Sequence, residues 1–155
     1  MPGQGRNPMM AERKTSGVFS AEEKAAMKEA AAERKAQAKA TDKREAGTKA
    51  VREVIDKLDG SDRTIAEKFY ALVTEHAPGL VPKTYYGMPG FANADDKILV
   101  FLQPASKFKV RYATIGFEQP AKLDDAPMWP TAWGITGWTA ADEKAFVATL
   151  KKALG

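Results

Sequence analysis

The segment between residues 83 and 116 alternates short apolar stretches with turns of a few residues. The turn-forming runs are Gly87-Met-Pro-Gly90, Asn93-Ala-Asp-Asp96 and Pro104-Ala-Ser106. Such short connections join antiparallel strands, because a parallel pair needs a crossover of a dozen or more residues. Amphipathic helices are predicted before and after this segment. The sequence therefore predicts an α+β fold: an antiparallel β-sheet of about four to five strands with helices packed on one face, preceded by an N-terminal charged helix.

The strand pattern is clearest in two places. Ile98 to Leu102 is apolar at every position, which predicts a central strand at least partly covered on both faces. Lys107 to Gly116 alternates, so that one face carries Lys107, Lys109 and Arg111 and the other carries Phe108, Val110, Tyr112 and Thr114. The cationic face has two interpretations. It is either a solvent face or edge strand protected by lysines, or a surface that attracts anions. Shorter strands are expected at 83–86, from Phe91, and near 133–136.

Three amphipathic helices surround this sheet. Apolar residues at helical spacing predict a short helix over 51–58 and a second from about Asp62 to His76, with Asp59-Gly60-Ser61 between them. A last helix over 140–154 is predicted to start with a Thr139 cap. Its inward residues are expected to be Phe146, Val147, Leu150 and Leu154.

The N-terminal third differs in composition from the rest. Residues 1–19 lack periodicity and are predicted to be disordered. Residues 20–47 are interpreted as a charged helical extension and linker: Ser20 and Glu23 form a capping box, the helix runs to about Ala40, and Thr41 to Gly47 links it to the domain. Residues 48–155 form the predicted α+β domain.

The charged extension has two interpretations. Four lysines lie on one side of the predicted helix and three glutamates on the opposite side, by 100° per residue. Most such helices are simply solvated. The alternative is a basic surface that binds nucleic acid or an acidic protein. The lysines are Lys24, Lys28, Lys35 and Lys39.

The amino-acid composition limits the catalytic and metal-binding sites that the chain can form. There are no cysteines and one histidine, His76, which excludes disulfides, thiolate nucleophiles and Cys- or His-rich metal centres. His76 is interpreted as a structural residue at a helix C-terminus. No catalytic residue, metal site or cofactor is predicted, because no nucleophile–base spacing, P-loop or dinucleotide motif occurs. Enzymatic activity is therefore not favoured.

The charge and hydropathy of the sequence indicate the cellular compartment to expect. The net charge is +4, and residues 1–50 carry 11 Lys and Arg against 7 Asp and Glu, so the basic excess belongs to the extension. No apolar run approaches the ~20 residues that span a bilayer, and the N-terminus lacks the apolar region of a secretory signal. A cytoplasmic protein without a membrane partner is expected. The sequence predicts no oligomeric state.

One group of residues suggests a binding function. Lys107, Lys109 and Arg111 would attract an anion, and Tyr85, Tyr86 and Trp129 would supply apolar walls and hydroxyl donors. We therefore expect a non-enzymatic binder of a small anionic or aromatic ligand. This hypothesis requires the cations and the aromatic residues to border one site.

A family resemblance adds a second hypothesis. The run Pro78-Gly-Leu-Val-Pro-Lys-Thr-Tyr-Tyr-Gly-Met-Pro-Gly-Phe91, the Lys107 to Phe117 strand and the closing helix resemble the YdhG-like family, a domain of unknown function. The resemblance covers about Val51 to Leu154. It implies a small α+β domain with a curved antiparallel sheet. At least one member is described as a frataxin-like intracellular iron chaperone, so the resemblance also implies iron binding by carboxylates. The candidates are Asp95, Asp96, Asp124, Asp125 and Glu118.

Overall fold

A computed structural model describes residues 20–155. The chain divides into two units, one ending at Lys43 and one comprising Arg44–Gly155. The helices are α1 (Ala21–Asp56), α2 (Gly60–His76), α3 (Ala105–Phe108) and α4 (Ala140–Leu154), and the strands are β1 (Val81–Tyr85), β2 (Met88–Ala92), β3 (Ile98–Gln103), β4 (Ala113–Phe117) and β5 (Ala132–Ile135). The predicted disorder of residues 1–19 lies outside the described residues.

Helix α1 starts as predicted but does not stop at residue 40. The backbone amide of Ser20 donates to Glu23 Oε1 and the Glu23 amide donates to Ser20 Oγ, each at 3.0 Å, which confirms the capping box. The predicted linker Thr41 to Gly47 is wrong, because α1 continues through it. That stretch contains no proline, and the Thr41 hydroxyl donates to the Gln37 carbonyl within the helix.

Packing explains why α1 tolerates Gly47. A Cβ atom at Gly47 would overlap the carbonyl group of Pro82 in β1, so glycine lets the helix backbone approach the strand closely. One turn earlier, the Arg44 guanidinium donates to the Leu80 carbonyl at 3.2 Å and to the Pro78 carbonyl at 3.3 Å. The residue that suggested a helix break is therefore a contact between α1 and the sheet.

The strands form one five-stranded antiparallel sheet in the order β1-β2-β3-β4-β5, which confirms the predicted α+β class. The β1–β2 turn is shorter than the sequence suggested. Only Tyr86 and Gly87 lie between the strands, with φ values of 51° and 77°. Two successive positive φ values are typical of a type I′ turn. Strand β2 then begins at Met88, so the expected break up to Gly90 is wrong.

One face of the sheet packs on the helices. Phe91, Val100, Leu102 and Ile115 are almost fully buried there, together with Val51 and Ile55 of α1, Phe69 of α2 and Phe146 and Leu150 of α4. The ring centroids of Phe69 and Phe146 are 5.8 Å apart. This arrangement confirms that the helices cover one face of the sheet. The apolar β3 strand behaves as predicted, since all its residues up to Leu102 are buried except the half-buried Phe101.

The predicted strand from Lys107 to Gly116 is wrong in its first half. Ala105–Phe108 form the single turn α3, Lys109 ends it with φ 55°, and β4 begins only at Ala113. A contact distant in sequence stabilises this turn. The buried Asp62 carboxylate of α2 accepts the backbone amides of Ala105 at 3.2 Å and Ser106 at 2.9 Å. Residues 107, 109 and 111 therefore do not alternate along a strand.

The closing helix has the predicted bounds. Its capping box joins Thr139 and Asp142, and Phe146 and Leu150 are buried. The inward assignment of Leu154 is wrong, because its side chain is 41% exposed and Ala153 is buried in its place. Leu154 is the last helical residue, so few residues remain to cover it.

Candidate functional site

The sheet face that lacks helices is lined by glycines. Antiparallel register places Gly90 of β2 opposite Phe101 of β3, and Phe101 opposite Gly116 of β4. Gly134 of β5 lies on the same face, because strand residues alternate and Gly134 pairs with Thr114. A glycine inside a strand often marks the close approach of another group.

Aromatic rings occupy the space above two of these glycines. A Cβ atom at Gly116 would overlap the ring of Phe101, and one at Gly134 would lie 2.8 Å from a ring carbon of Tyr112. The rings of Phe101 and Tyr112 thus contact the glycines of the neighbouring strands. Phe101 is half-buried and the Tyr112 side chain is 41% exposed, so part of each ring remains accessible.

Two further tyrosines extend this surface at the β1–β2 hairpin. The ring centroid of Tyr85 is 5.2 Å from that of Phe101 and 4.7 Å from that of Tyr86. Tyr86 is the tip of the hairpin and is 83% exposed. We call Tyr85, Tyr86, Phe101 and Tyr112 the ring platform. Tyr85 and Tyr86 were predicted as ligand-binding residues, whereas Phe101 and Tyr112 were missed.

A hydrogen bond holds Tyr85 across the face of the sheet. Its hydroxyl donates to Glu118 Oε2 at 2.8 Å, just beyond the end of β4. This hydrogen bond to the carboxylate raises the pKa of Tyr85, with smaller contributions from desolvation and from the charge of Glu118. Glu118 therefore keeps the phenol protonated and fixes the direction of its ring.

The hairpin tip carries backbone strain. Tyr86 has φ 51°, a left-handed conformation that disfavours a bulky side chain. The Lys107 ammonium donates to the Gly87 carbonyl at 2.6 Å and so supports the turn. Strained residues of this kind concentrate at functional sites, because the strain lowers stability and needs surrounding contacts to persist.

The other two predicted cations lie at the same end of the sheet as the hairpin. Lys109 and Arg111 are exposed on the loop between α3 and β4. The guanidinium carbon of Arg111 is 5.0 Å from the centroid of the Tyr112 ring, a cation–π geometry. Arg111 thus adjoins a platform residue and Lys107 contacts Gly87 next to one, with Lys109 between them in the chain.

Trp129 lies elsewhere. It lines a cavity of about 180 Å³ between the segment before β5 and helix α4, together with Leu123, Asp125, Trp133 and Lys152. The Lys152 ammonium donates to Asp125 Oδ2 at 2.6 Å, and this hydrogen bond lowers the pKa of Asp125. Trp133 also lines a second cavity of about 220 Å³ with Trp138 and Phe146. Trp129 therefore belongs to the tryptophan cluster near β5.

The largest of these three cavities, about 540 Å³, lies at the end of the sheet near the hairpin. Lys57, Asp59, Asp62, Ser106 and Lys107 contribute its polar lining, with Val54, Leu58 and Gly87. No aromatic ring lines it. The predicted cations and aromatic residues thus do not surround one cavity. Arg111 instead adjoins Tyr112 of the ring platform, and Lys107 lines this cavity where it contacts Gly87.

Three of the five carboxylates suggested by the family resemblance contact a basic or hydroxyl side chain. Asp96 Oδ1 lies 3.1 Å from the Lys83 ammonium, Asp125 pairs with Lys152, and Glu118 accepts from Tyr85. Within residues 20–155 no three Asp, Glu or His side chains form a group that could hold a metal ion. Iron binding remains a prediction from the resemblance alone.

Comparison with protein-family models, with curated proteins and with solved structures gives no match. The resemblance to the YdhG-like family therefore stays a prediction. In the part of the chain that the structure describes, no helix is long and apolar enough to cross a membrane. Four lysines of the extension, Lys24, Lys28, Lys35 and Lys39, are exposed on α1.

Proposed function

We propose that this protein binds a small ligand that combines a planar aromatic ring with an anionic group, and that the ligand lies on the ring platform. The observation that carries the proposal is the contact of Phe101 and Tyr112 with strand glycines, with Arg111 beside Tyr112 and Lys107 at the adjoining hairpin turn. The accessible parts of such rings can stack on a planar ligand, and the nearby cations offer charge-assisted hydrogen bonds.

The strained hairpin tip supports the same proposal. An exposed tyrosine at a position that favours glycine or asparagine lowers stability and buries little of its own surface. Binding gives such a residue a role, since a ligand stacked on Tyr86 would cover its exposed ring. Tyr85 behind it is held rigid by Glu118, so little side-chain entropy is lost on binding.

A nucleoside monophosphate is a suitable probe, because it carries both groups. The full chain is titrated with the nucleotide, the matching nucleoside and inorganic phosphate, and backbone amide chemical shifts are recorded. We expect the nucleotide to bind more tightly than either part and to shift the amides of Gly87, Phe101 and Tyr112. Replacing Phe101 by Leu should weaken binding by about 1 kcal/mol or more, the usual contribution of one stacked base, or about fivefold in affinity.

The matched control is Trp129→Leu, which removes a ring from the cavity near β5 and leaves the platform unchanged. It should not alter nucleotide affinity. If the shifts map instead to Trp129 and Trp133, or if Phe101→Leu binds as well as the native chain, the ring platform is not the site.

A further inference from the structure

We infer that the ligand of the ring platform is single-stranded nucleic acid, with at least two successive bases stacked on separate rings. This inference rests on the proposed function, since each nucleotide combines a planar ring with an anionic group, and it extends the ligand from one such unit to a strand of them. It depends on three properties of the open face: the placement of its rings, their position outside the cavities described above, and the position of the nearby cations.

The platform offers two distinct stacking surfaces. Phe101 lies over Gly116, and Tyr112 lies over Gly134. Gly116 pairs with Ala132, so Gly134 is its diagonal neighbour on the adjacent strand. Diagonal positions of this kind are about 7–8 Å apart. A strand whose successive bases stack on the two rings can span such a distance.

The ring platform is not part of the cavities described above. Tyr85, Phe101 and Tyr112 line none of these three cavities. Pockets for small ligands bury most of the ligand surface. A row of rings that lies outside these cavities suits a polymer, which gains affinity by repeating a weak contact along its length.

The positions of the cationic side chains suit the binding of a phosphodiester backbone. The register of β2 and β3 brings the Tyr86–Gly87 turn and the α3–β4 loop to the same end of the sheet. Lys107 adjoins Gly87 in that turn, Arg111 adjoins Tyr112, and Lys109 lies between them in the loop. The positive charges thus lie at the end of the sheet that carries the hairpin turn and the α3–β4 loop. Aromatic stacking with a parallel basic border is the usual composition of a sequence-tolerant single-strand site.

Binding of labelled single-stranded oligonucleotides to the full chain, measured by fluorescence anisotropy, tests the inference. A dinucleotide should bind at least about fivefold more tightly than a mononucleotide, because a second base stacks. Tyr112→Leu should reduce that gain, because it should weaken dinucleotide binding more than mononucleotide binding. Lys109→Ala with Arg111→Ala should weaken oligonucleotide binding and make the plot of log affinity against log salt concentration less steep. The slope should fall by about 0.7 for each phosphate that the protein no longer neutralises.

Several results would overturn the inference. Equal affinity for the mononucleotide and all longer strands means that one ring is used, and it leaves the proposed function standing. Equal or tighter binding of a duplex excludes base stacking on the platform. Replacing Lys24, Lys28, Lys35 and Lys39 together by Gln tests the basic helix: if this variant loses oligonucleotide binding and Tyr112→Leu keeps it, α1 is the nucleic-acid surface.

Discussion

The Tyr85 hydroxyl donates a 2.8 Å hydrogen bond to the Glu118 carboxylate, which joins the first strand of the sheet to the end of the fourth across the open face. Two strands separate these residues in the sheet, so the tyrosine side chain lies along the surface. Its ring contacts Phe101 and Tyr86 on the way. This hydrogen bond organises one half of the ring platform.

The same hydrogen bond makes the platform sensitive to high pH. The pKa of Tyr85 lies above its ordinary value of 10.0 in the folded protein. A raised pKa means that the folded state favours the neutral phenol. The contribution to stability is therefore fully present below the ordinary pKa and is lost as the pH rises through the folded-state pKa. Tyrosinate absorbance during an alkaline titration measures the shift.

Glu118→Gln should lower the pKa of Tyr85 toward the ordinary value, because the charged acceptor is removed. One tyrosine should then ionise at a lower pH than in the native chain. Glu143→Gln is the control, since it removes a carboxylate that pairs with Lys68 at 3.5 Å. Identical titration curves for the native chain and Glu118→Gln would show that the hydrogen bond does not persist in solution.

Gly116 should not tolerate a methyl group. Gly116→Ala places a Cβ atom in the Phe101 ring, so the ring must leave β4 or the strands must shift. Overpacking of this kind costs about 1–3 kcal/mol in the free energy of unfolding. Gly79→Ala is the matched control, because no atom lies within 4 Å of a Cβ there. Urea denaturation of both variants measures the difference, and equal stabilities would refute the seating of Phe101.

Tyr86→Asn should stabilise the fold and weaken ligand binding. Asparagine tolerates the left-handed conformation better than tyrosine, and the Tyr86 ring buries little surface. We expect a gain of about 1 kcal/mol in the free energy of unfolding and a decrease in nucleotide affinity of about fivefold. The two measurements are thermal or urea unfolding and the nucleotide titration. A variant that loses stability would show that the tyrosine is held by contacts that outweigh the strain.

Helix α1 offers a test in which helix propensity and packing disagree. Propensity alone predicts that Gly47→Ala stabilises the chain by about 1 kcal/mol and that Ala46→Gly destabilises it by the same amount. The structure predicts that both destabilise it, because the methyl group introduced at residue 47 would overlap the Pro82 carbonyl. Ala46 is exposed, so its change reports propensity only. Stabilisation by Gly47→Ala would contradict the close packing of α1 on β1.

Local sequence patterns were sufficient for the elements with strong local signals. Period-3.6 apolar spacing located the closing helix, and the Thr139–Asp142 capping box marked its start. The short turns indicated the antiparallel sheet, and Ile98 to Leu102 its apolar central strand. The predictions were wrong where a contact with a residue distant in sequence determines the backbone conformation. Gly47 suggested a linker because Pro82, which packs beside it, is remote in sequence, and residues 105–108 form a helical turn because Asp62 accepts two of their amides.

The residues of the candidate site also include some that the sequence indicates and others that only the fold brings together. The sequence identified Tyr85, Tyr86, Lys107 and Arg111 by their chemistry, because exposed aromatic and cationic side chains are typical of binding surfaces. It also selected Trp129, which the fold places in another cavity. It missed Phe101 and Tyr112, since nothing local distinguishes them from core residues. Only cross-strand register brings each ring over a glycine of the neighbouring strand, and that relationship exists only once the sheet has formed.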